Sequence, residues 1–121
     1  MRSRVESYPR AARLTRAADY ARVFQGAKRI ADPYFTVLVI QNESGWARLG
    51  LAVSKRTAAS AVVRNRIKRR IREAFRLHQQ EIAGNDLVVI AKPATRTAAG
   101  AMLNRSLCQL WQQVSQRCKR S

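Results

Sequence analysis

The side chains able to do covalent chemistry are scarce in this sequence: one histidine, two cysteines and seven carboxylates stand against 24 lysines and arginines in 121 residues. His78 is the only histidine, so a Cys/His zinc set of the usual spacing cannot be assembled. Cys108 and Cys118 are the only cysteines. On one continuous helix they would stand about 15 Å apart, beyond the roughly 7 Å limit for a disulfide. Both are therefore read as reduced thiols, which suits a cytosolic protein. The carboxylates are scattered, and no nucleophile–histidine–acid arrangement is visible around His78. The expected catalytic set within the chain is empty. What the chain has in quantity is positive charge, and the chemistry of positive charge is binding.

That charge is densest in AVVRNRIKRRIREAFRLH, from Ala61 to His78. Val63, Ile67, Ile71, Ala74 and Phe75 recur at spacings of three and four, which puts them on one stripe of a helix. At about 100° per residue, Arg64, Lys68 and Arg72 form a ridge beside the stripe. Asn65, Arg69 and Arg76 lie further round, with Arg66 and Glu73 beyond them. A solvated surface helix usually alternates its signs. Here Glu73 is the only acid, so most of the cations lack an internal counterion and the pattern points to nucleic acid. Arginine's planar fork holds phosphate through two hydrogen bonds, whereas lysine supplies a point charge. Asn65, an uncharged amide within the run, suits either a hydrogen bond to a base, sugar or backbone group, or a role local to the helix.

The elements that must position this helix follow from size and pattern. The chain is read as a single domain, 1–121, with one core, and its 46% hydrophobic content argues against wholesale disorder. A net charge of +17 makes a compact chain repel itself, so a polyanion is the expected partner. No apolar run approaches the roughly 20 residues of a membrane span. Met1 to Arg16 is basic without the apolar segment of a signal peptide, so the expected location is cytoplasmic, with no membrane partner.

Residues 1–13 read as a mobile basic arm. Thr15 is the expected N-cap of a helix from Arg16 to Gln25, stopped by Gly26, with Tyr20, Val23 and Phe24 on one face. Lys28 to Pro33 is a turn or short irregular strand. Phe35 to Ile40, FTVLVI, reads as a central strand, and Asn42 to Gly45 supply turn residues. Trp46 to Ser54 is expected to return as the antiparallel partner in a hairpin. Ser60 is the expected N-cap of the basic helix, and Gly84-Asn85 its close. Leu87 to Ala91 is a strand of the fully buried kind, ended by Lys92-Pro93. Thr97 is the expected cap of a last helix with Leu103, Leu107, Leu110, Trp111 and Val114 facing the core. The order α-β-β-α-β-α gives an α+β fold, a small mixed sheet packed with three helices.

Arg64-Asn65-Arg66, Ile67-Lys68-Arg69, Ile71-Arg72-Glu73 and Phe75-Arg76 resemble the signature of the protein subunit of bacterial ribonuclease P. The flanks agree: Gly50-Leu51-Ala52-Val53-Ser54-Lys55-Arg56 ahead, with Ala61-Val62 just before the triplet, and Asp86-Leu87-Val88-Val89-Ile90-Ala91-Lys92 behind. The resemblance runs from about Leu14 to the last helix. It implies a left-handed strand–helix–strand crossover, which no residue pattern shows. It further implies a ribonucleoprotein endonuclease that removes the 5′ leader of precursor tRNA, with hydrolysis carried out by a catalytic RNA subunit and its Mg²⁺ ions. No cofactor bound tightly by the protein alone is implied, and no protein partner is required.

By position, Arg64, Asn65, Arg66, Lys68, Arg69 and Arg72, with Lys55 and Arg56, would face that RNA. Tyr20, Phe24, Thr36 and Leu38 would form a cleft for the 5′ leader, where aromatic rings can stack on any base. The sequence departs from some relatives in having Thr57-Ala58-Ala59-Ser60 where they carry a glycine, and Tyr rather than Phe at position 20. Two other classes share the charge and size. A ribosomal protein would travel with ribosomal RNA. A DNA-binding regulator would need a short helix and a tight turn before its recognition helix, where an apparent strand stands instead.

Overall fold

The computed structural model describes residues 13–14 and 17–119, with residues 117–119 as backbone only. The arm 1–12 and the Thr15 cap lie outside the described residues. Helix α1 is Ala17–Gly26; strands β1, Lys28–Ala31, and β2, Phe35–Gln41, follow, then β3, Arg48–Ala52. Helix α2, Ala61–His78, leads to β4, Asn85–Ala91; a 3₁₀ turn, Pro93–Arg96, precedes α3, Gly100–Lys119. The strands form one mixed sheet in the order β1-β2-β4-β3. The ambiguous stretch after α1 is thus a regular strand, paired antiparallel with β2 from Lys28↔Val39 to Ala31↔Thr36.

The expected hairpin of the second and third strands does not form. β4 lies between them, antiparallel to β2 and parallel to β3. The reason is burial. Leu87, Val88 and Val89 are wholly buried on both faces of the sheet, so the most apolar strand takes the inner place and β3 is left at the edge. Parallel neighbours need a long crossover, and α2 supplies it. The turn residues between β2 and β3 therefore make an arch over the start of β4 rather than a hairpin bend. Asn42 Nδ2 donates to the Trp46 carbonyl at 3.0 Å and to Asp86 Oδ1 at 2.7 Å. Gly45, at φ +88°, takes the left-handed conformation that side chains avoid.

The sheet separates two apolar layers of different size. Phe35, Val37, Val39, Leu49, Leu87 and Val89 join Ile67, Ile71 and Phe75 of α2 and Leu103, Leu107, Leu110, Trp111 and Val114 of α3 in the main core. Alternate strand residues point the other way. There Val88 meets Leu14 and Val23, with Tyr20, Leu38, Ile40 and Ile90 half-buried around them. So α2 and α3 cover one face fully, and α1 covers the other only in part.

The basic helix begins as expected, with Ser60 Oγ accepting from Val63 N at 3.3 Å. Its end differs. α2 stops at His78 and six turn residues follow; Gly84, at φ +84°, bends the chain into β4 instead of closing the helix. Thr97 likewise does not cap α3: it terminates the 3₁₀ turn, and α3 starts at Gly100. Both differences come from intervening turns that carry no helical period. Residue 13 corrects the arm's boundary, because Arg13 bridges to Leu49 on the outer edge of β3 and Leu14 N donates to Leu49 O at 3.0 Å.

Candidate nucleic-acid interface

Burial of Ile67, Ile71, Ala74 and Phe75 fixes the rotation of α2, and with it the direction of every cation on the helix. Asn65, Arg66, Arg69 and Arg72 are exposed, and Arg64 and Lys68 are half-buried at the margin. These residues do not all have the same freedom. Arg64 turns back along its own helix, donating from Nη1 to the carbonyls of Ala58 at 3.0 Å and Ala59 at 2.8 Å. It thereby fastens the turn that carries Lys55 and Arg56, both exposed. Arg66 Nη2 reaches the Arg96 carbonyl at 3.1 Å, and Arg76 is ion-paired with Glu73. Asn65, Lys68, Arg69 and Arg72 keep no hydrogen-bond or ion-pair partner among the described residues.

On the opposite face, Val23 rather than an aromatic anchors α1, being wholly buried. Phe24, one step of 100° on, is 55% exposed. Tyr20 is half-buried, its ring packed close to β3 at Gly50. A Cβ placed on Gly50 would meet Tyr20 Oη at 2.6 Å and Cζ at 2.7 Å. Glycine at 50 is therefore what admits the ring. Leu38 is half-buried beside Tyr20 in the same cluster, while Thr36 is almost fully covered at 6% exposure.

The α2 cations and the face covered by α1 lie on opposite sides of the sheet, and of the expected cleft residues Tyr20, but not Phe24, Thr36 or Leu38, meets the ridge at the β3 edge. A cavity of about 520 Å³ there is lined by Tyr20 of α1, Lys68 and Arg72 of α2, Leu49 and Leu51 of β3, and Arg13 and Leu14. Its mostly polar lining sets an aromatic ring and aliphatic side chains beside three cations, and such groups suit a nucleotide, rings stacking on a base and cations meeting a phosphate.

Two polar clusters escaped sequence reasoning. Asp86 has no exposed side-chain surface, yet Arg48 holds it in a fork, Nε to Oδ1 at 2.8 Å and Nη2 to Oδ2 at 2.7 Å. Asn42 and Arg22 complete the set. Burial alone would raise the Asp86 carboxyl; the bonds from Arg48 and Asn42 and the charges of Arg48 and Arg22 outweigh it and hold the group below its ordinary value. The cluster pins α1 and the 42–46 arch to the sheet. A lone acid heading an apolar strand in a chain this basic was the available signal.

The second cluster overturns the expectation about His78. Its Nε2 lies 3.6 Å from Cys108 Sγ, and its Nδ1 lies 3.0 Å from Glu81 Oε2. The thiol comes from α3, so only the packing of α3 on α2 reveals the arrangement. Among the described residues, no group of three or more His, Cys, Asp or Glu is placed to hold a metal ion. No helix among them is long and apolar enough to cross a membrane.

Fold and site define a class: small, strongly basic α+β proteins that set a cationic helix and an open sheet face around one strand edge. Comparison with known proteins narrows it. The family model for ribonuclease P matches residues 8–115. The ribonuclease P protein component of Thioalkalivibrio sulfidiphilus is 44% identical over 93% of this chain and 94% of its own length. That of Vibrio cholerae is 41% identical over 90% of this chain and 92% of its own. The Staphylococcus aureus RNase P protein superposes with a TM-score of 0.78 at 35% identity, over 83% of this chain and 92% of its own. The Thermotoga maritima protein gives 0.76 at 29%, over 84% and 96%. The chain belongs to the ribonuclease P protein family. A strand and a non-helical turn precede α2, unlike a helix-turn-helix regulator, and the family match sets aside the ribosomal reading.

Proposed function

We propose that this chain is the protein component of ribonuclease P, working in a ribonucleoprotein that generates the mature 5′ end of tRNA. The observation that carries the reading is the set of side chains on α2 without protein partners, Asn65, Lys68, Arg69 and Arg72, within a match spanning residues 8–115. These four, with Arg64, Arg66, Lys55 and Arg56, face the catalytic RNA. The half-covered sheet face takes the 5′ leader of precursor tRNA, with Tyr20 and Phe24 as stacking surfaces and Leu38 as floor. Thr36 shapes that floor from beneath rather than touching a base, since it is 6% exposed.

The phosphodiester cleavage belongs to the RNA subunit, which holds most of the Mg²⁺ in the assembled ribonucleoprotein. The protein's contribution is charge neutralisation and placement of the leader. A cytoplasmic site of action follows from that role. The test is reconstitution: precursor tRNA cleavage by the RNA subunit at low Mg²⁺, with and without this chain. Stimulation confined to precursors that carry a leader supports both surfaces. Equal stimulation of every substrate would leave only the ridge.

A further inference from the structure

We propose that Cys108 is a nucleophilic thiol, activated by His78 and open to modification by small electrophiles such as low-molecular-weight disulfides. The chain of contacts is Cys108 Sγ to His78 Nε2 at 3.6 Å, then His78 Nδ1 to Glu81 Oε2 at 3.0 Å. Glu81 accepts only, so the proton of the neutral ring is held on Nδ1. That leaves the Nε2 lone pair facing the thiol. Nucleophile, base and orienting acid thus stand in hydrogen-bond order, the arrangement that activates thiols in general. Because the two ring nitrogens face different partners, the three groups do not converge on one point.

Accessibility supports a reagent rather than a core role. Cys108 and His78 are half-buried and Glu81 is exposed, so the cluster borders solvent rather than lying in the core. Helix α3 is continuous across residues 108 and 118, which separates them by about 15 Å along its axis. Cys108 therefore cannot close a bridge with Cys118, and a disulfide at this site must be mixed with a second molecule.

The step balances. His78 Nε2 takes the Cys108 proton, and the thiolate attacks one sulfur of the disulfide. The new S–S bond forms as the old one breaks, and the departing thiolate is protonated by the imidazolium. Cys108 is oxidised and one half of the reagent is reduced. The adduct sits at the α2–α3 seam, where Cys108 of α3 meets His78 of α2.

The test uses the full chain with Cys118→Ser, so that one thiol remains, and iodoacetamide, whose neutrality removes steering by the net charge. Alkylation of the folded protein at neutral pH should run at least about tenfold faster than in urea. His78→Gln should bring the rate down to that of the unfolded chain or below. Glu81→Ala should slow it, and Glu81→Gln, which still accepts from Nδ1, should restore most of the rate. Circular dichroism confirms that the variants stay folded. A second measurement needs no variant: brief exposure of the natural chain to a small disulfide, then peptide mass analysis, should find the first adduct on Cys108. A folded rate no higher than the unfolded one, indifference to His78→Gln, or first modification at Cys118 would each overturn the proposal.

Discussion

Gly50→Ala tests whether the Tyr20 ring is held where the structure has it. The added methyl would stand 2.6 to 2.8 Å from Oη, Cζ and Cε1, so it meets the ring itself and not only its hydroxyl. β3 is an ordinary strand with no positive φ at Gly50, so alanine carries no backbone strain there. Its smaller unfolded-state entropy would by itself stabilise by about 0.4–1 kcal/mol. Against that stands overpacking of a buried site, about 1–3 kcal/mol. The net expectation is a loss between about 0 and about 2.6 kcal/mol, centred near about 1.3 kcal/mol, the difference between these two ranges.

A double-mutant cycle isolates the cause. With Tyr20→Ala the obstacle is gone, so Gly50→Ala should become neutral or slightly stabilising, giving a coupling of about 1–3 kcal/mol. Tyr20→Phe should not relieve the clash, because Cζ and Cε1 remain. Urea unfolding of the four proteins measures the cycle. Binding of precursor tRNA with and without its leader, by the reconstituted holoenzyme, measures the consequence. Gly50→Ala should weaken leader-dependent affinity as Tyr20→Ala does, while affinity for the RNA subunit stays put. A coupling under about 0.5 kcal/mol, the level of independent sites, would mean that the ring does not rest on Gly50.

Four further outcomes are expected. Phe24→Ala should cost little stability, since the ring is 55% exposed, but should weaken leader binding by about 1–3 kcal/mol if it stacks on one base; fluorescence anisotropy with leader-bearing precursor checks it. Arg64→Ala should lower stability by about 1–2 kcal/mol by releasing two carbonyl bonds, while Lys68→Ala should stay within about 0.5 kcal/mol of the natural chain; both should weaken holoenzyme assembly. Assembly itself should lose affinity steeply with salt, with a log–log slope of order −4 to −7 for about six to eight phosphates, and a slope near zero would exclude the ridge as the interface. Asp86 has a folded-state value below its ordinary one, so its stabilisation is complete above about pH 4 and is lost as pH falls through the folded value. Asp86→Asn should therefore cost about 2–4 kcal/mol at pH 7 by leaving Arg48 and Arg22 without their acid, and its urea midpoint should change less than the natural chain's below pH 4.

What could be read from the sequence follows how local each signal is. α2 was legible from Ala61 to His78, cap included, because its apolar period and Ser60 are both local. The α3 stripe was legible for the same reason, with every one of its five residues buried. The sheet order was not. Two apolar runs joined by turn residues fit a hairpin equally well, and only the placement of Leu87 to Ala91 between them decides otherwise. The site divides in the same way. The ridge was visible as a helical face. The Tyr20–Gly50 contact, the Asp86 cluster and the Cys108–His78 pair each join segments separated by a strand or a helix, which spacing cannot report.

The structure also sorts charges that look alike in sequence. Arg22 and Arg48 are committed to a buried acid, Arg64 and Arg66 to backbone carbonyls, and Arg76 to Glu73. Each such cation is already oriented, so binding RNA through it carries a smaller entropy cost, but also less freedom to adjust. Lys68, Arg69 and Arg72 are the opposite case. They lack partners among the described residues, and they must lose rotamer freedom on meeting phosphate, at about 0.5–1.5 kcal/mol per side chain. Their advantage is reach: long side chains on a helix whose rotation is fixed by Ile67, Ile71 and Phe75 can follow an irregular RNA surface. Arg64 links the two kinds. By holding the carbonyls of Ala58 and Ala59 it sets the turn from which Lys55 and Arg56 project. Its loss should therefore loosen two neighbouring cations along with its own, and the effect of Arg64→Ala on assembly should exceed that of Lys68→Ala.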